Sequence, residues 1–455
     1  MMRSVARFTL SGLLTLAGAG CAPSPPATPT AIVLITLDTT RADRLTPYGF
    51  MSASMPALDR LAREGVLFDQ AISVAPLTVP AHASILTGLL PPSHGLRDND
   101  ATPLRPERLT LAESLKEQGF RTAAFVGASV LARDRGLDQG FDHYDEVSAA
   151  SLAGGAHDRP AGAVIDAALE WLEALDRQSF FLWVHLYDAH RPYSPPEPFA
   201  SQYAHDPYLG EIAYTDSEIG RLLTALDQLP PARSLVIVAG DHGESLGEHG
   251  ERDHGIFVYE NVMRVPLIVR APSITPRRVG SVVSLTDIAP TTLALAGFPI
   301  PRTDGVSRVD VMRGNPSEEE AYSESHYPIQ FGWSPLRALR DGRYKLIDAP
   351  RAELYDLTND PHELNNLSHE RPALAGAMRR RLDQLAHPTD ASLAGSAETR
   401  AGSEVRQRLA ALGYLSTSGS TDHYRPAPDP KDCIDLIEAQ NPIQPSAHKR
   451  PTAGC

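Results

Sequence analysis

Short, uninterrupted apolar runs alternate along the chain with segments of helical periodicity. Two of these runs, AIVLITLD ending at Asp38 and SLVIVAGDHG reaching Asp241 and His242, are rich in β-branched residues. Such runs indicate strands that are buried on both faces of a parallel sheet. Between them, helical patterns such as PALDRLAREG and AVIDAALEWLEALD alternate with the strand-like runs RTAAFVGA and FFLWVHLYD. The alternation predicts an α/β domain with a largely parallel central sheet flanked by helices.

The pattern changes in the last third of the chain. Beyond the α/β domain predicted at residues 31–310, LRALRDGRYKLIDA and AELYDLTNDPHELNNL indicate strand–turn–strand units, and ALAGAMRRRLDQLA indicates a helix. We therefore expect a small α+β subdomain at residues 311–387. Residues 388–455 are rich in Ser, Thr, Ala, Pro and Gly, which predicts a polar tail.

The first residues have the layout of a secretory signal. Arg3 and Arg7 precede an apolar run that is too short to span a bilayer, and small residues lead to Cys21. Small residues before a cysteine resemble a bacterial lipoprotein signal, although Gly18 stands where that motif usually has leucine; an ordinary cleaved signal is the alternative. A Pro-rich tether completes residues 1–30. We expect an exported periplasmic or cell-envelope protein that meets the membrane only through a lipidated Cys21.

The net charge and the cysteine spacing limit the binding partners and the metal sites expected of this chain. The net charge is −14 at pH 7 and Lys and Arg do not cluster, which argues against nucleic acid or an anionic membrane surface as a partner held by charge. Cys433 and Cys455 have a spacing that fits no zinc pattern. Whether these two cysteines pair with each other is open at this point.

Polar side chains that bind metals follow the two buried strands. In open α/β sheets, ligands bind beyond the carboxyl ends of the strands, where Asp38, Asp188, Asp241 and His242 are expected to lie. Carboxylates combined with imidazole suit Zn²⁺ or Mn²⁺ better than an all-oxygen Ca²⁺ site. We expect one divalent ion per chain, held by Asp38, Asp241 and His242 together with Thr78.

Thr78 lies in APLTVPAHASILTG, where Pro80 suits the first turn of a helix and Gly88 its C-terminal cap. The segment alone favours an ordinary N-cap threonine. A threonine hydroxyl beside a metal is instead an activated nucleophile, and backbone N–H groups at a helix start attract an anionic ester. Both interpretations are compatible with the local sequence, and the metal-ligand set favours the nucleophile.

Four separated motifs resemble the sulfatase branch of the alkaline phosphatase superfamily. They are LDTTRADRLTPYG, TVPAHASILTG, DAHRPY, and DHGESLGEHG with RVPLIV. The resemblance implies an alkaline phosphatase-like α/β fold and a metal-dependent ester hydrolase. It also implies that Asp38 lies in the first metal motif, that Thr78 lies at the nucleophile position, and that Asp241 and His242 lie in the second metal motif.

The nucleophile motif departs from that of true sulfatases. There it reads Cys or Ser, any residue, Pro, any residue, Arg, and its first residue is oxidised to formylglycine; here Thr78 and His82 occupy the first and last positions. Formylglycine cannot form on threonine. The pair is similar to threonine-dependent phosphodiesterases, lipoteichoic acid synthases and phosphoethanolamine transferases, which implies a covalent phosphothreonine and a substrate-binding role for His82.

The resemblance also implies roles for three further residues. His254, thirteen residues after Asp241, and His190 in DAHRPY resemble catalytic histidines that contact the substrate or protonate the leaving group. Asn99 resembles an asparagine that contacts the non-bridging ester oxygens in phosphonate monoester hydrolases, and its alternative is an ordinary turn residue. Arg41 can pair with Asp38 or with the ester.

The leading hypothesis is an exported hydrolase that cleaves a phosphate mono- or diester of a small molecule or headgroup through a threonine intermediate. The alternatives are a sulfuric ester hydrolase, a phospho-group transferase, and a non-catalytic envelope protein that keeps the fold. The transferases of this type that act on lipids usually carry transmembrane helices, and after the signal segment this chain has no apolar run of that length.

Overall fold

The structure, a computed structural model, describes residues 29–147, 158–175, 178–228, 234–272, 274–317, 319–386 and 427–440. The strands are β1 (Ala31–Leu37), β2 (Val66–Ile72), β3 (Arg121–Val126), β4 (His143–Asp145), β5 (Phe180–Leu186), β6 (Ser234–Gly240), β7 (Arg264–Val265), β8 (Leu267–Arg270), β9 (Arg277–Ser284), β10 (Ala321–Ser325), β11 (Leu336–Arg340), β12 (Tyr344–Asp348) and β13 (Glu353–Asp356). The helices are α1 (Pro56–Glu64), α2 (Thr78–Thr87), α3 (Pro91–His94), α4 (Leu111–Glu117), α5 (Ala161–Glu173), α6 (Phe199–Gln202), α7 (Pro207–Leu226), α8 (Glu260–Met263), α9 (Ile288–Ala296), α10 (Val309–Met312), α11 (Pro372–Ala386) and α12 (Pro430–Gln440).

The large sheet is parallel at its centre. Its order is β4-β3-β5-β1-β6-β8-β2, with β7 and β9 also paired to β2. Strand β1 lies between β5 and β6 and is parallel to both, whereas β8 is antiparallel to β6 and to β2. The predicted fold class, a largely parallel sheet flanked by helices, is confirmed.

Side-chain alternation along β1 divides the core between the two faces of the sheet. Ile32 and Leu34 belong to the core that includes apolar residues of α2, α4 and α9. Val33 and Ile35 belong to the opposite core, with residues of α1, α5 and α7. Every residue of β1 is buried, which explains why its residues are apolar on both faces apart from Thr36 and do not alternate between apolar and polar.

A small antiparallel sheet, β10-β11-β12-β13, follows the main domain, and α11 packs against it. This confirms the predicted small C-terminal α+β unit. Helix α12 lies within the segment predicted to be a polar tail, and its Cys433 and Ile434 are buried with Phe257 and Tyr355. The short apolar stripe of CIDLI is diluted by its polar surroundings, so composition alone did not indicate a helix there.

The signal segment, Cys21, most of the Pro-rich tether, most of the predicted tail and Cys455 lie outside the described residues. Cys433 is disulfide-bonded. Among the described helices, none combines the length and the apolar character needed to cross a bilayer.

Candidate active site

The sheet register brings the predicted metal ligands together. Leu37, the last residue of β1, pairs with Gly240, the last residue of β6, so the residues that follow the two strands leave the same edge of the sheet. These residues are Asp38 on one side and Asp241 with His242 on the other. All three are completely buried, and one ligand atom from each lies within 4.8 Å of the others.

Thr78 is the first residue of α2 and is 2% exposed. Its Oγ1 lies 3.4 Å from Asp38 Oδ2 and 3.4 Å from His242 Nε2. The N-cap of α2 is Leu77, and the side chain that caps this helix end is that of Asn99, whose Oδ1 accepts from the backbone N–H of Val79. The N-cap interpretation of Thr78 is therefore wrong, because its hydroxyl faces the metal-ligand set and not the backbone N–H groups. Gly88 ends α2 in the left-handed conformation, as predicted.

The hydrogen bonds of the ligand set leave atoms for a cation. Asp241 Oδ1 accepts from the backbone N–H groups of Thr39 and His242, while Asp241 Oδ2 and Asp38 Oδ1 have no hydrogen-bond partner within the described residues. His242 Nδ1 lies 3.0 Å from the carbonyl of Gly243, so Nδ1 carries the proton and Nε2 presents its lone pair. Two unpaired carboxylate oxygens and an imidazole lone pair fit a divalent metal.

The electrostatics of these residues lead to the same interpretation. Burial, together with the neighbouring Asp38 carboxylate, raises the pKa of Asp241 well above its ordinary value. Burial opposes the charge of Asp38, but His185, His190 and His242 hold its pKa below the usual range. Burial lowers the pKa of His242 to about 3, which keeps the imidazole neutral, as metal binding requires.

His254 lies beside this set, in a cluster of its own. Its Nδ1 is 2.9 Å from Asp253 Oδ1 and 3.2 Å from Glu244 Oε1, and its ring centroid is 4.5 Å from that of His242. Burial opposes protonation of His254, yet the two carboxylates raise its pKa well above 6.5. Because one ring nitrogen contacts both carboxylates, the ring is held in one orientation as an imidazolium. The centroid of the His190 ring is 5.0 Å from that of His254.

Three other predicted residues are found around this centre. His190 stacks on Tyr187, with ring centroids 4.4 Å apart, and is partly exposed. Asn99 Oδ1 accepts from the backbone N–H of Val79 at 3.0 Å, so Asn99 lies at the N-terminus of α2 beside Thr78. His82 is completely buried one helical turn after Thr78.

The surroundings of His82 differ from those expected of a substrate-binding side chain. Its Nδ1 is 2.8 Å from the carbonyl oxygen of Thr78, and its Nε2 is 3.0 Å from Thr36 Oγ1. Both ring nitrogens thus have protein partners, and neither is left for an ester oxygen. The substrate-contact assignment is corrected for this reason: His82 lies beneath the site and not in its mouth.

Arg41 and Asp188 have partners outside the ligand set. Arg41 forms ion pairs with Asp43 and Glu248 and not with Asp38. The carboxylate of Asp188 accepts from the backbone N–H of Ala161 at the start of α5. Asp188 therefore binds a helix terminus and not the ligand set, although β5 ends in register with β1 at the same edge of the sheet.

Four polar residues at the site were not predicted: Thr36, His185, Glu244 and Asp253. His185 belongs to the strand-like run FFLWVHLYD. A histidine inside an otherwise apolar strand is a signal that could have identified His185 as a site residue. Glu244 follows His242 by two residues and is completely buried. Its proximity to the metal motif was visible in the sequence, but its contact with His254 depends on a loop conformation.

Comparison with known proteins identifies the family. The sulfatase family profile matches residues 30–298, more than half of the chain. The chain belongs to the sulfatase family. A second profile, the C-terminal region of N-sulphoglucosamine sulphohydrolase, matches residues 247–387 of this sulfatase-family chain. The resemblance drawn from the four motifs is thereby confirmed.

Curated relatives align over most of their length. An ulvan-active sulfatase of Formosa agariphila is 28% identical over 394 residues, covering 74% of this chain and 76% of that protein. An N-acetylglucosamine-6-O-sulfatase of Bacteroides thetaiotaomicron is 26% identical over 499 residues, covering 81% and 88%. The solved phosphonate monoester hydrolase of Agrobacterium radiobacter superposes with a TM-score of 0.67 at 22% identity, over 78% of this chain and 95% of that one. This last likeness concerns the fold.

Proposed function

We propose that this sulfatase-family hydrolase cleaves a phosphate mono- or diester through a covalent phosphothreonine on Thr78. The observation that carries the proposal is the position of the Thr78 hydroxyl, 3.4 Å from both Asp38 Oδ2 and His242 Nε2 at the start of a helix. A hydroxyl that caps a helix does not need a carboxylate and an imidazole beside it. A nucleophilic hydroxyl does need them, because it must lose its proton next to a bound metal.

Asp38, Thr78, Asp241 and His242 would hold one divalent metal, for which Zn²⁺ or Mn²⁺ suits the donor set better than Ca²⁺. When bound, such an ion lowers the pKa of a coordinated hydroxyl and withdraws charge from the ester. Thr78 Oγ1 then gives up its proton to solvent and forms a bond to phosphorus, while the bond from phosphorus to the leaving oxygen breaks and that oxygen takes a proton from a general acid. Water next attacks the phosphothreonine and gives up a proton to the group that protonated the leaving oxygen, and the bond from phosphorus to Thr78 Oγ1 breaks. This step releases phosphate or a monoester, and solvent returns the proton of the Thr78 hydroxyl.

His254 is suited to supply the proton that the leaving oxygen needs. It is held as an imidazolium by Asp253 and Glu244, and its ring lies against that of His242. His190, at 5.0 Å between ring centroids, flanks the same space. Asn99, at the first turn of α2, is placed to contact the non-bridging oxygens with its amide NH2 group, because its Oδ1 already accepts from Val79, and the backbone N–H of Thr78 lies beside it at the helix start.

Threonine supports phosphorus chemistry better than sulfate chemistry. A formylglycine hydrate releases sulfate by reforming its aldehyde, and a threonine side chain has no such hydrate. A sulfated threonine would have to be hydrolysed by attack at sulfur. A phosphorylated threonine is hydrolysed by attack at phosphorus, in line with the Thr78 oxygen, with the same metal and helix N-terminus available to both steps.

A second candidate, sulfuric ester hydrolysis, is favoured by the named relatives, which include ulvan-active and N-acetylglucosamine-6-O-sulfatases. Structural neighbours include one described as a complex with its substrate, D-glucosamine-2-N,6-O-disulfate. In this chain that activity would have to proceed without formylglycine.

The two candidates are separated by parallel rates. Purified protein, loaded in turn with Zn²⁺ and Mn²⁺, is assayed on bis-p-nitrophenyl phosphate, p-nitrophenyl phosphate and p-nitrophenyl sulfate, which share one leaving group. We expect a preference for a phosphate ester, and acid quenching during turnover should trap a phosphorylated peptide that contains Thr78. A higher kcat/KM on the sulfate ester would refute the assignment.

A further inference from the structure

We propose that Thr36, His82 and His185 are positioning residues that tie the metal ligand Asp38 to the helix of the nucleophile Thr78. The inference rests on the proposed function for the roles of Asp38 and Thr78. It adds a buried polar network that neither the family match nor the motifs assign.

The contacts among these residues form a closed ring that begins and ends at Thr78. The carbonyl oxygen of Thr78 lies 2.8 Å from His82 Nδ1, and His82 Nε2 lies 3.0 Å from Thr36 Oγ1. Thr36 Oγ1 lies 3.2 Å from His185 Nδ1, whose ring extends to place Nε2 3.4 Å from Asp38 Oδ2. That carboxylate oxygen is also the one that the Thr78 hydroxyl faces at 3.4 Å. The five residues are at most 2% exposed, so water does not substitute for these contacts.

The hydroxyl of Thr36 couples the two histidines. Trp183 Nε1 can only donate a hydrogen bond, and it donates to Thr36 Oγ1 at 2.9 Å. One hydroxyl proton and one lone pair then remain for His82 Nε2 and His185 Nδ1, so one of these nitrogens accepts while the other donates. The tautomer of one ring therefore determines what the other ring can do.

His185 transmits this arrangement to the metal ligand. Thr36 and His185 are paired residues of the adjacent strands β1 and β5, so the sheet register places the histidine beside the end of β1. His185 Nε2 is buried and makes no hydrogen bond within the described residues, and it is directed at Asp38 Oδ2. A side chain held there restricts rotation of the Asp38 carboxylate and leaves Oδ1 for the ion. Outer-shell partners of this kind orient ligands in many metal sites.

The test removes the shared hydroxyl without changing the shape of the side chain. Thr36→Val keeps the β-branched side chain that suits a strand, and Thr36→Ser keeps the hydroxyl. Dissociation constants for Mn²⁺ and Zn²⁺ are measured by chelator competition, beside the melting temperature of the metal-free protein. We expect Thr36→Val to bind metal about 10–100-fold more weakly than the wild type and Thr36→Ser to stay within about threefold of it.

A matched control separates positioning from stability. Thr292 is also completely buried, and its hydroxyl donates to the carbonyl of Ile288 at 2.7 Å in α9. Thr292→Val should lower the melting temperature as Thr36→Val does, yet leave metal affinity unchanged. Should Thr36→Val fail to fold, His185→Phe removes both nitrogens from a ring of similar size and is expected to weaken metal binding to the same degree.

Wild-type metal affinity in a folded Thr36→Val or His185→Phe protein would overturn the proposal, as would a wild type that binds neither metal. The measurement does not use ester hydrolysis. A wild type that binds metal tightly but prefers the sulfate ester would reject the proposed phosphate chemistry, and loss of affinity in the variants would still support the positioning role.

Discussion

Replacement of Thr78 by alanine separates catalysis from stability, because the structure predicts a small effect on one and a large effect on the other. The Thr78 hydroxyl makes two contacts of 3.4 Å, longer than the 2.5–3.0 Å that is usual for O–H···O hydrogen bonds. Its removal therefore forfeits little hydrogen-bond energy. Loss of the buried methyl group costs about 1 kcal/mol, which in a domain of this size lowers the melting temperature by about 2 °C.

The expected effect of Thr78→Ala on turnover is much larger. The substitution removes the atom that attacks phosphorus and one of the four metal ligands at once. We expect kcat to fall by at least about 10⁴-fold, which corresponds to about 5 kcal/mol of activation free energy. Turnover of bis-p-nitrophenyl phosphate at saturating substrate and excess metal gives the rate, and thermal melts followed by circular dichroism give the stability.

Thr87→Ala is the matched control, at the other end of the same helix. Thr87 is equally buried, and its hydroxyl donates to the carbonyl of Ala83 at 2.6 Å and accepts from the backbone N–H of Leu89. Losing these bonds adds about 1 kcal/mol to the loss of the methyl group, so Thr87→Ala should be the less stable variant. Its kcat should stay near that of the wild type. The nucleophile assignment is refuted if Thr78→Ala keeps kcat within about tenfold of wild type, or if both variants lose rate alike.

Three further outcomes follow from the structure. Asp241→Asn should retain the fold, because its amide oxygen can still accept from the backbone N–H groups of Thr39 and His242. In a chelator-competition assay the variant should bind metal at least about 100-fold more weakly than the wild type. Unchanged affinity would exclude Asp241 as a ligand. Burial raises the pKa of Glu251 from 4.5 to about 8. The contribution of Glu251 to stability is therefore complete below pH 4.5 and is lost as the pH rises through 8. The loss is about 1.4 kcal/mol for each pH unit between the two pKa values. Melts in EDTA from pH 5 to 9 should show a flatter profile for Glu251→Gln, and equal slopes would contradict the assignment. Mass spectrometry of the N-terminal peptide should find a lipidated Cys21 as the first mature residue, whereas an unmodified start elsewhere would leave simple export.

Much of the site was predictable because parallel strands end at a common edge. Asp38 and the pair Asp241 and His242 each follow an apolar run long enough to be a buried strand, and adjacent parallel strands bring such residues together. The end of α2 at Gly88 was predictable for a similarly local reason, because the left-handed conformation that ends a helix favours glycine. The fold class followed from the same alternation of apolar runs and helical patterns.

What the sequence by itself determined was therefore the set of residues with local signatures: strand ends, a helix start and a helix end. It did not determine that the N-cap of α2 is Leu77, which turns the hydroxyl of Thr78 toward the metal ligands. Nor did it place His82 below the site: residues four apart share one face of a helix, and only the packing of α2 against β1 puts the turn that carries His82 beneath the metal ligands. The pairing of Thr36 with His185 joins residues 149 positions apart and exists only because β1 and β5 adopt one register. A shift by one residue would turn each side chain to the opposite face of the sheet, so only the assembled tertiary structure decides which polar groups meet in the core.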